Sequence, residues 1–348
     1  MASEWLSSIE RAYSVNPIIF GVLYFGTFIP CWYFVFKIIG AIRKKDLDKV
    51  IIFSIVELFL LAFPYLYIMI WGQNLPFWVY IVLILLIILS IIPAIRSVKK
   101  RFISADHDNK SQMLWDFCSY AYRHAIGYSI PHQKMFNDVV TSLNLRNSSR
   151  ILDAGCGAGD FEKYICSKNL NFSVEAVDFS AQMIKGARKK CKRKNIKFNQ
   201  ADLNNWLPYR DNYFDSIICL QVLFALPRTN FTLREFYRVM KPQGELIIAD
   251  PKPDANMGRT IIAHFKEIRN LKGAQKLLGY LNLLVRFPLG LIVLLFNLQM
   301  DKWAKQGHYH FYSAGELKQE IEKTGMKIMK ISNTLAKQDN LIVAKKTS

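Results

Sequence analysis

Residues 151–159 read Ile-Leu-Asp-Ala-Gly-Cys-Gly-Ala-Gly. The first four positions are apolar or small apart from one acid, which predicts a buried strand over Arg150–Ala154. Three glycines at every second position then predict a sharp turn, and Asp160–Lys168 predicts a helix. Glycine lets a backbone turn tightly and lets a ligand come close to it. A dinucleotide-binding turn instead spaces its glycines G-x-G-x-x-G and sets a pyrophosphate on the helix N-terminus. Here the spacing is G-x-G-x-G, and Phe161 stands two residues after Gly159.

Further strands are predicted at Ser173–Asp178, Ile196–Gln200, Phe214–Leu220, Glu245–Asp250, Met326–Leu335 and Asn340–Lys345. Helices are predicted at Ser180–Lys192, Thr232–Met240 and Ala314–Gly325. Alternation of this kind builds a parallel α/β sheet, here of seven strands with the last two forming a hairpin. Acids recur at the strand ends. Asp153 closes the first strand and suits a cationic ammonium group. Asp178 closes the second, 19 residues after Gly159, where a carboxylate accepts ribose hydroxyls. Asp202 follows the third and suits an adenine amino group, with Leu203 and Met183 as candidates to pack on the ring. Such a site holds an adenosyl amino acid better than a pyrophosphate.

Residues 115–348 resemble the class I S-adenosylmethionine (SAM)-dependent methyltransferases. The matching pieces are Leu152–Gly159, Ala176-Val177-Asp178-Phe179-Ser180, Gln200-Ala201-Asp202-Leu203, Phe214-Asp215-Ser216-Ile217 and Val239–Leu246, the last like the turn before the fifth strand. The chain is most similar to the branch that methylates quinones, sterols and phospholipids. The resemblance implies a Rossmann-like fold and SAM as cofactor, with S-adenosylhomocysteine (SAH) as product. Cofactor contacts are expected from Asp153, Gly155, Gly157, Gly159, Asp178, Phe179, Met183, Asp202, Leu203, Leu220 and Gln221. Many relatives carry a histidine after the fourth strand, where this chain has Val222-Leu223-Phe224-Ala225-Leu226.

The N-terminal quarter differs in kind. Pro17–Ile42, Val50–Trp71 and Phe77–Ile95 are long apolar runs, and about 20 such residues cross a bilayer as a helix. Lys37 and Glu57 are the charges inside them. Loop 43–49 and residues 96–101 are basic, whereas loop 72–76 is uncharged and flanked by Trp71 and Trp78. Basic loops stay inside, so residues 1–97 are expected to form a three-helix anchor. Its N-terminus would lie outside, and the catalytic domain on the cytoplasmic side of an inner membrane. Residues 98–114 are expected to be a basic and polar linker.

The net charge is +19 over 348 residues. Six bases and five acids precede residue 96, which leaves +18 on the C-terminal part. A basic domain tied to a membrane suits anionic lipid headgroups; nucleic acid is the competing partner for such charge, but no nucleic-acid-binding module is recognisable. The six cysteines form no C-x-x-C pair and no histidine cluster has metal spacing, so reduced thiols and no metal site are expected.

The acceptor side should come from residues 115–135 and from an insert over about 255–305. The first holds Tyr120, Tyr122, His124, Tyr128 and His132, and the second contains the apolar run Leu277–Leu298, interrupted by Arg286 and Pro288. Tyr120, Tyr122, His124, Tyr128 and Arg286 are the candidate substrate contacts. A crossing at Leu277–Leu298 would separate Ala314–Ser348 from the sheet that those residues complete. The run is therefore expected to lie in the interface, re-enter, or cap the site. His308, His310 and Tyr312 are the candidate catalytic groups, with Asp250 a further candidate base. The leading expectation is methyl transfer to a membrane lipid, either a phospholipid headgroup or an isoprenoid quinol. Methylation of protein or RNA, and a non-catalytic SAM sensor, are the alternatives.

Overall fold

The computed structural model describes residues 2–44, 46–72, 107–143, 149–168, 170 and 172–347. The chain divides into two compact units, Met1–Lys110 and Ser111–Ser348.

The first unit contains helices α1 (Ala2–Tyr13), α2 (Pro17–Arg43) and α3 (Leu47–Trp71). Pro17 opens α2, where its missing N–H costs nothing, and the Asn16 side chain accepts from Ile18 N and Ile19 N at 3.0 and 3.1 Å. Along α2 the side chains of Ile18, Phe28, Ile29 and Phe36 stand exposed. Among the described residues α2 is the one helix long and apolar enough to cross a membrane, and Ile52–Ile68 within α3 is a shorter apolar stretch. The third expected span, Phe77–Ile95, lies outside the described residues. Phe34 of α2 packs on Phe53 of α3, and Glu57 turns toward Cys31 of α2, so the acid faces its neighbouring helix.

The second unit is built on a seven-stranded sheet. Its strands are β1 (Arg150–Ala154), β2 (Ser173–Asp178), β3 (Ile196–Gln200), β4 (Phe214–Leu220), β5 (Met240–Pro251), β6 (Met326–Thr334) and β7 (Asp339–Lys346). They lie in the order β3-β2-β1-β4-β5-β7-β6. The first five run parallel, and β7 is antiparallel to both β5 and β6. The order reverses between β1 and β4, the place where open parallel sheets bind ligands beyond their carboxyl ends. β5 begins earlier than expected because Met240 already pairs with Phe214, ahead of an irregularity in the ladder.

Helices cover both faces. Helices α5 (Ile130–Ser142), α6 (Asp160–Ser167) and α7 (Ala181–Lys190) bury Met135, Phe136, Phe161, Ile165, Ile184 and Ala187 against Ile151, Val174, Ile218 and Ile247. On the other face α8 (Thr229–Val239) and α11 (Ala314–Glu322) bury Leu233, Phe236, Leu317 and Ile321 against Leu152, Ile217, Leu246 and Ile248. Adjacent strand residues point to opposite faces, so central strands covered on both sides are apolar throughout.

Helix α4 (His107–Ala125) begins within the expected linker, so residues 107–114 are helical. No Gly or Pro interrupts His107–Ala125, and its apolar side appears only from Leu114 onward, so the polar beginning reads as loop. The insert folds as a helical hairpin, α9 (Met257–Asn270) and α10 (Gly273–Lys305). Gly279 lets the two approach: a Cβ there would stand 2.9 Å from Ile268 Cγ2. Helix α9 joins α5 through Ile130 N, which donates to His264 Nδ1, and through a 2.6 Å ion pair between Lys134 and Glu267.

Candidate active site

The glycine loop is pinned to the end of β2, where Gly155 N and Cys156 N both donate to Val177 O at 2.8 and 2.9 Å. Its three glycines serve different ends. Gly155 has φ +89°, and a Cβ there would overlap the Val222 side chain. Gly159 has φ +77° and begins α6, where a Cβ would stand 2.9 Å from Ala187. Gly157, at φ +52°, has nothing within 4 Å of the Cβ position. Two glycines thus permit close packing, and the middle one faces open space.

The expected acids have distinct surroundings. Asp178 is buried; its two carboxylate oxygens accept from Gly157 N and Ser180 N, each at 2.9 Å. Burial raises its pKa to about 6 despite those two bonds. Each oxygen retains a lone pair for a further donor. Ser180 caps α7 through Met183 N and bonds Asp116 of α4, a link with no sequence signal. Asp153 is 1% exposed and Glu162 of α6 0%, and none of their four carboxyl oxygens has a well-formed hydrogen bond. The two carboxyls face each other, and burial raises both pKa values, Asp153 to about 6.

Asp202 stands at the surface. It folds its carboxylate onto Asn204 N, Asn204 Nδ2 and Asn205 Nδ2 at 2.9–3.0 Å, a local turn that leaves lone pairs free. The Leu203 side chain is 5% exposed and packed in the core with Leu207 and Leu233. It follows the strand directly and turns inward under α8, whose Thr232 hydroxyl donates to its carbonyl. Met183 is also buried, and Phe179 is half-buried with its carbonyl held by Gln200 Nε2.

After β4, half-buried Leu220 leads to Gln221, which adopts φ +57° with its N–H on Ala249 O. Such a conformation in a non-glycine residue is uncommon and concentrates at functional sites. Asp250, 0% exposed, organises the turn. Its carboxylate accepts from Val222 N, Leu223 N and Phe224 N at 2.9–3.1 Å. With both oxygens so engaged, Asp250 is a structural acceptor for this turn. The Gln221 side chain reaches toward buried His132 and buried Asp339. Burial and neighbouring His264 lower His132 to about 4, so its ring, 2.8 Å from Ser129 Oγ, is neutral at pH 7. Burial raises Asp339 to about 8. Leu335, Ala336 and Lys337, in the turn before Asp339, all have positive φ.

The candidate acceptor residues fall in two groups. In the first, the Arg286 guanidinium lies 3.5 Å from the Tyr128 ring centroid and its Nε donates to His124 O. Tyr120 packs on His124 nearby in α4, with ring centroids 4.5 Å apart. Tyr122 points elsewhere, into a cluster with Trp115 and Phe296, and its hydroxyl accepts from Asn297 Nδ2. In the second group His310 and Tyr312 meet at 4.4 Å. This segment joins the post-β4 turn: His310 N donates to Phe224 O, and Phe311 stacks on Phe224. His310 and His308 are exposed, whereas Tyr312 is half-buried, its hydroxyl beside Thr229. Sequence reading missed Glu162, Asp116 and Asp339, because nothing local marks a polar residue as buried.

Among curated proteins, the chain is 28% identical over 127 residues to the phthiotriol/phenolphthiotriol dimycocerosates methyltransferase of Mycobacterium leprae (strain TN), covering 36% of this chain and 46% of that protein. It is 34% identical over 108 residues to the ubiquinone/menaquinone biosynthesis C-methyltransferase UbiE of Rickettsia akari (strain Hartford), covering 29% and 43%. The chain thus spans less than half the length of these relatives. Among solved structures, a SAM-dependent methyltransferase from Aquifex aeolicus aligns with TM-score 0.42 at 20% identity, over 61% of this chain and 89% of its own. Residues 145–325, more than half of the chain, match the family described as "Methyltransferase domain". The chain belongs to that family and carries its methyltransferase domain.

Proposed function

We propose that this enzyme methylates a lipid-soluble acceptor at a membrane surface. The observation that carries the reading is the split character of α10. From Leu289 onward, Leu289, Ile292, Val293, Phe296, Met300 and Trp303 are all buried, at the 3–4 residue spacing of one helix face. That half caps the domain. The other half of α10, with α9, exposes Ile262, Phe265, Leu277, Leu278 and Leu281. Arg259, Lys266, Arg269 and Lys272 are exposed beside them. An apolar helical surface rimmed by bases suits an anionic bilayer interface. The length and apolar character of α2 support anchoring; in this reading the basic loop 43–49 sets the N-terminus outside and the catalytic domain on the cytoplasmic side. The relatives' names include a quinone-pathway and a dimycocerosate methyltransferase.

The site suits SAM on its own geometry, with open space at Gly157 and a buried acid at Asp153 whose oxygens lack a well-formed hydrogen bond. When bound, SAM supplies an already activated methyl group, so the protein's task is alignment and exclusion of water. In this reading Asp153 faces the ammonium group. Asp178 accepts ribose hydroxyls with its spare lone pairs, and Asp202 accepts from the adenine amino group. Gly155, Gly159, Phe179, Met183, Leu220 and Gln221 shape the cleft, and Leu203 acts only from beneath, through the core. Tyr128, His124, Tyr120 and Arg286 line the acceptor side. His310, set against Tyr312, is the group placed to take a proton from the acceptor, with His308 the exposed alternative.

The test uses full-length protein in membranes with methyl-labelled SAM. Label is expected in the lipid extract; label in protein or RNA with none in lipid would sink the reading. Replacing Leu277, Leu278 and Leu281 by Ser removes about 1 kcal/mol of membrane contact each. Lipid labelling should fall about a hundredfold at limiting membrane, with SAH binding unchanged, since all three side chains are exposed.

A further inference from the structure

Asp153 lies at the end of β1 and Glu162 in the first turn of α6, and both are nearly inaccessible to solvent. Four buried carboxyl oxygens without a well-formed hydrogen bond are an unusual expense in a folded protein. Two carboxyls this close cannot both ionise in a dry site; they hold one proton between them. The groups that face them do not relieve this. Cys156 stands in the glycine loop, Cys219 on β4, Cys166 on α6 and Asp178 on β2, and none is cationic. The nearby acid of α6, Asp160, is already paired with Lys190 at 2.5 Å. A cation is what the pair lacks, and SAM brings one in its ammonium group.

We propose that Glu162 is part of the cofactor subsite: with Asp153 it forms a proton-sharing pair that captures the ammonium of SAM, and the shared proton leaves to solvent as that cation binds. The inference rests on SAM being the cofactor and goes beyond it. No bond other than O–H is broken. The pair passes from one negative charge to two, and the bound ammonium offsets the second. Burial and the charge of Asp153 both raise Glu162, and burial raises Asp153, so the pair keeps a proton in the free enzyme. The sign follows: a proton must leave, so affinity for the cofactor rises with pH, by at most about tenfold per pH unit.

Calorimetric titration of the full chain with SAH at pH 7 tests this without turnover. Run in phosphate and in Tris, whose protonation enthalpies differ, the heats report the protons exchanged. Wild type should release roughly one proton per SAH bound, as expected of a pair that shares one. Glu162→Gln and the apolar Glu162→Met should release almost none while still binding SAH, and their melting curves check that they fold. The variants remove the contribution of the ligand's own amine by comparison. Buffer-independent heats in wild type, or equal proton release in a folded variant, would overturn the proposal. A wild type that binds no SAH would overturn the cofactor assignment and this inference together.

Discussion

Asp250→Ala is expected to cost about 3–5 kcal/mol of folding stability, because a buried N–H left without its acceptor costs about 1–3 kcal/mol. Three such groups, Val222 N, Leu223 N and Phe224 N, depend on this one carboxylate. The side chain is fully enclosed, so water cannot take its place without a cavity opening. Set against a total stability of about 5–15 kcal/mol for a domain, the loss is large. The post-β4 turn also carries Gln221 and, through Phe224 O, the His310 segment. SAH binding should therefore weaken with stability. Asp250→Asn keeps one acceptor oxygen and should fall between wild type and Ala. Urea unfolding curves give the comparison, and an Ala variant within 1 kcal/mol of wild type would contradict the assigned role.

Gly155→Ala should weaken SAH binding by at least about a hundredfold. A left-handed conformation forced on a residue with a side chain costs roughly 1–3 kcal/mol, and overpacking adds about 1–3 kcal/mol more. Both act at Gly155, whose φ is +89° and whose Cβ would overlap Val222. The loop must then move away from Val177 O, which holds it to β2. Adding Val222→Ala removes the overlapping methyl groups but leaves a Cβ at 3.2 Å and the backbone preference, so the double variant should recover about tenfold. Gly157→Ala separates the two functions of the loop. Its Cβ meets nothing within 4 Å but its φ is +52°, so the variant should lose only the backbone cost of about 1–3 kcal/mol, less than Gly155→Ala, while SAH binding falls. Isothermal titration beside thermal melts distinguishes these outcomes; a Gly157→Ala variant that binds SAH normally would show that this space is not the cofactor's.

The strands from β1 to β4 lie where their apolar runs place them, residue for residue. In central β1 and β4 burial on both faces is written into consecutive residues, whereas edge strand β3 alternates, with Ile196 and Phe198 buried and Lys197 and Asn199 exposed. The glycine loop was equally legible, since glycine at alternating positions constrains the local backbone whatever surrounds it. So were Asp178 and Asp202, which stand at strand ends. Asp250 was legible as a strand end too, but its task was not: its three partners lie 26–28 residues away in the chain.

Tertiary structure decided the rest. It showed Leu203 turned into the core, Glu162 set against Asp153, and Gln221 drawn toward His132 and Asp339 across three separate segments. It also divided α10. Leu277–Leu298 reads as one apolar run, yet Leu277, Leu278 and Leu281 face outward while Leu289, Ile292 and Phe296 are buried. Hydrophobicity along a sequence records what a side chain avoids, not which surface covers it. Local backbone preference and burial specify the sheet, the glycine loop and the strand-end acids without reference to distant residues. Which acids lie dry and paired, and which leucines stay uncovered, depends on residues far apart in the chain, and only the folded arrangement brings those together.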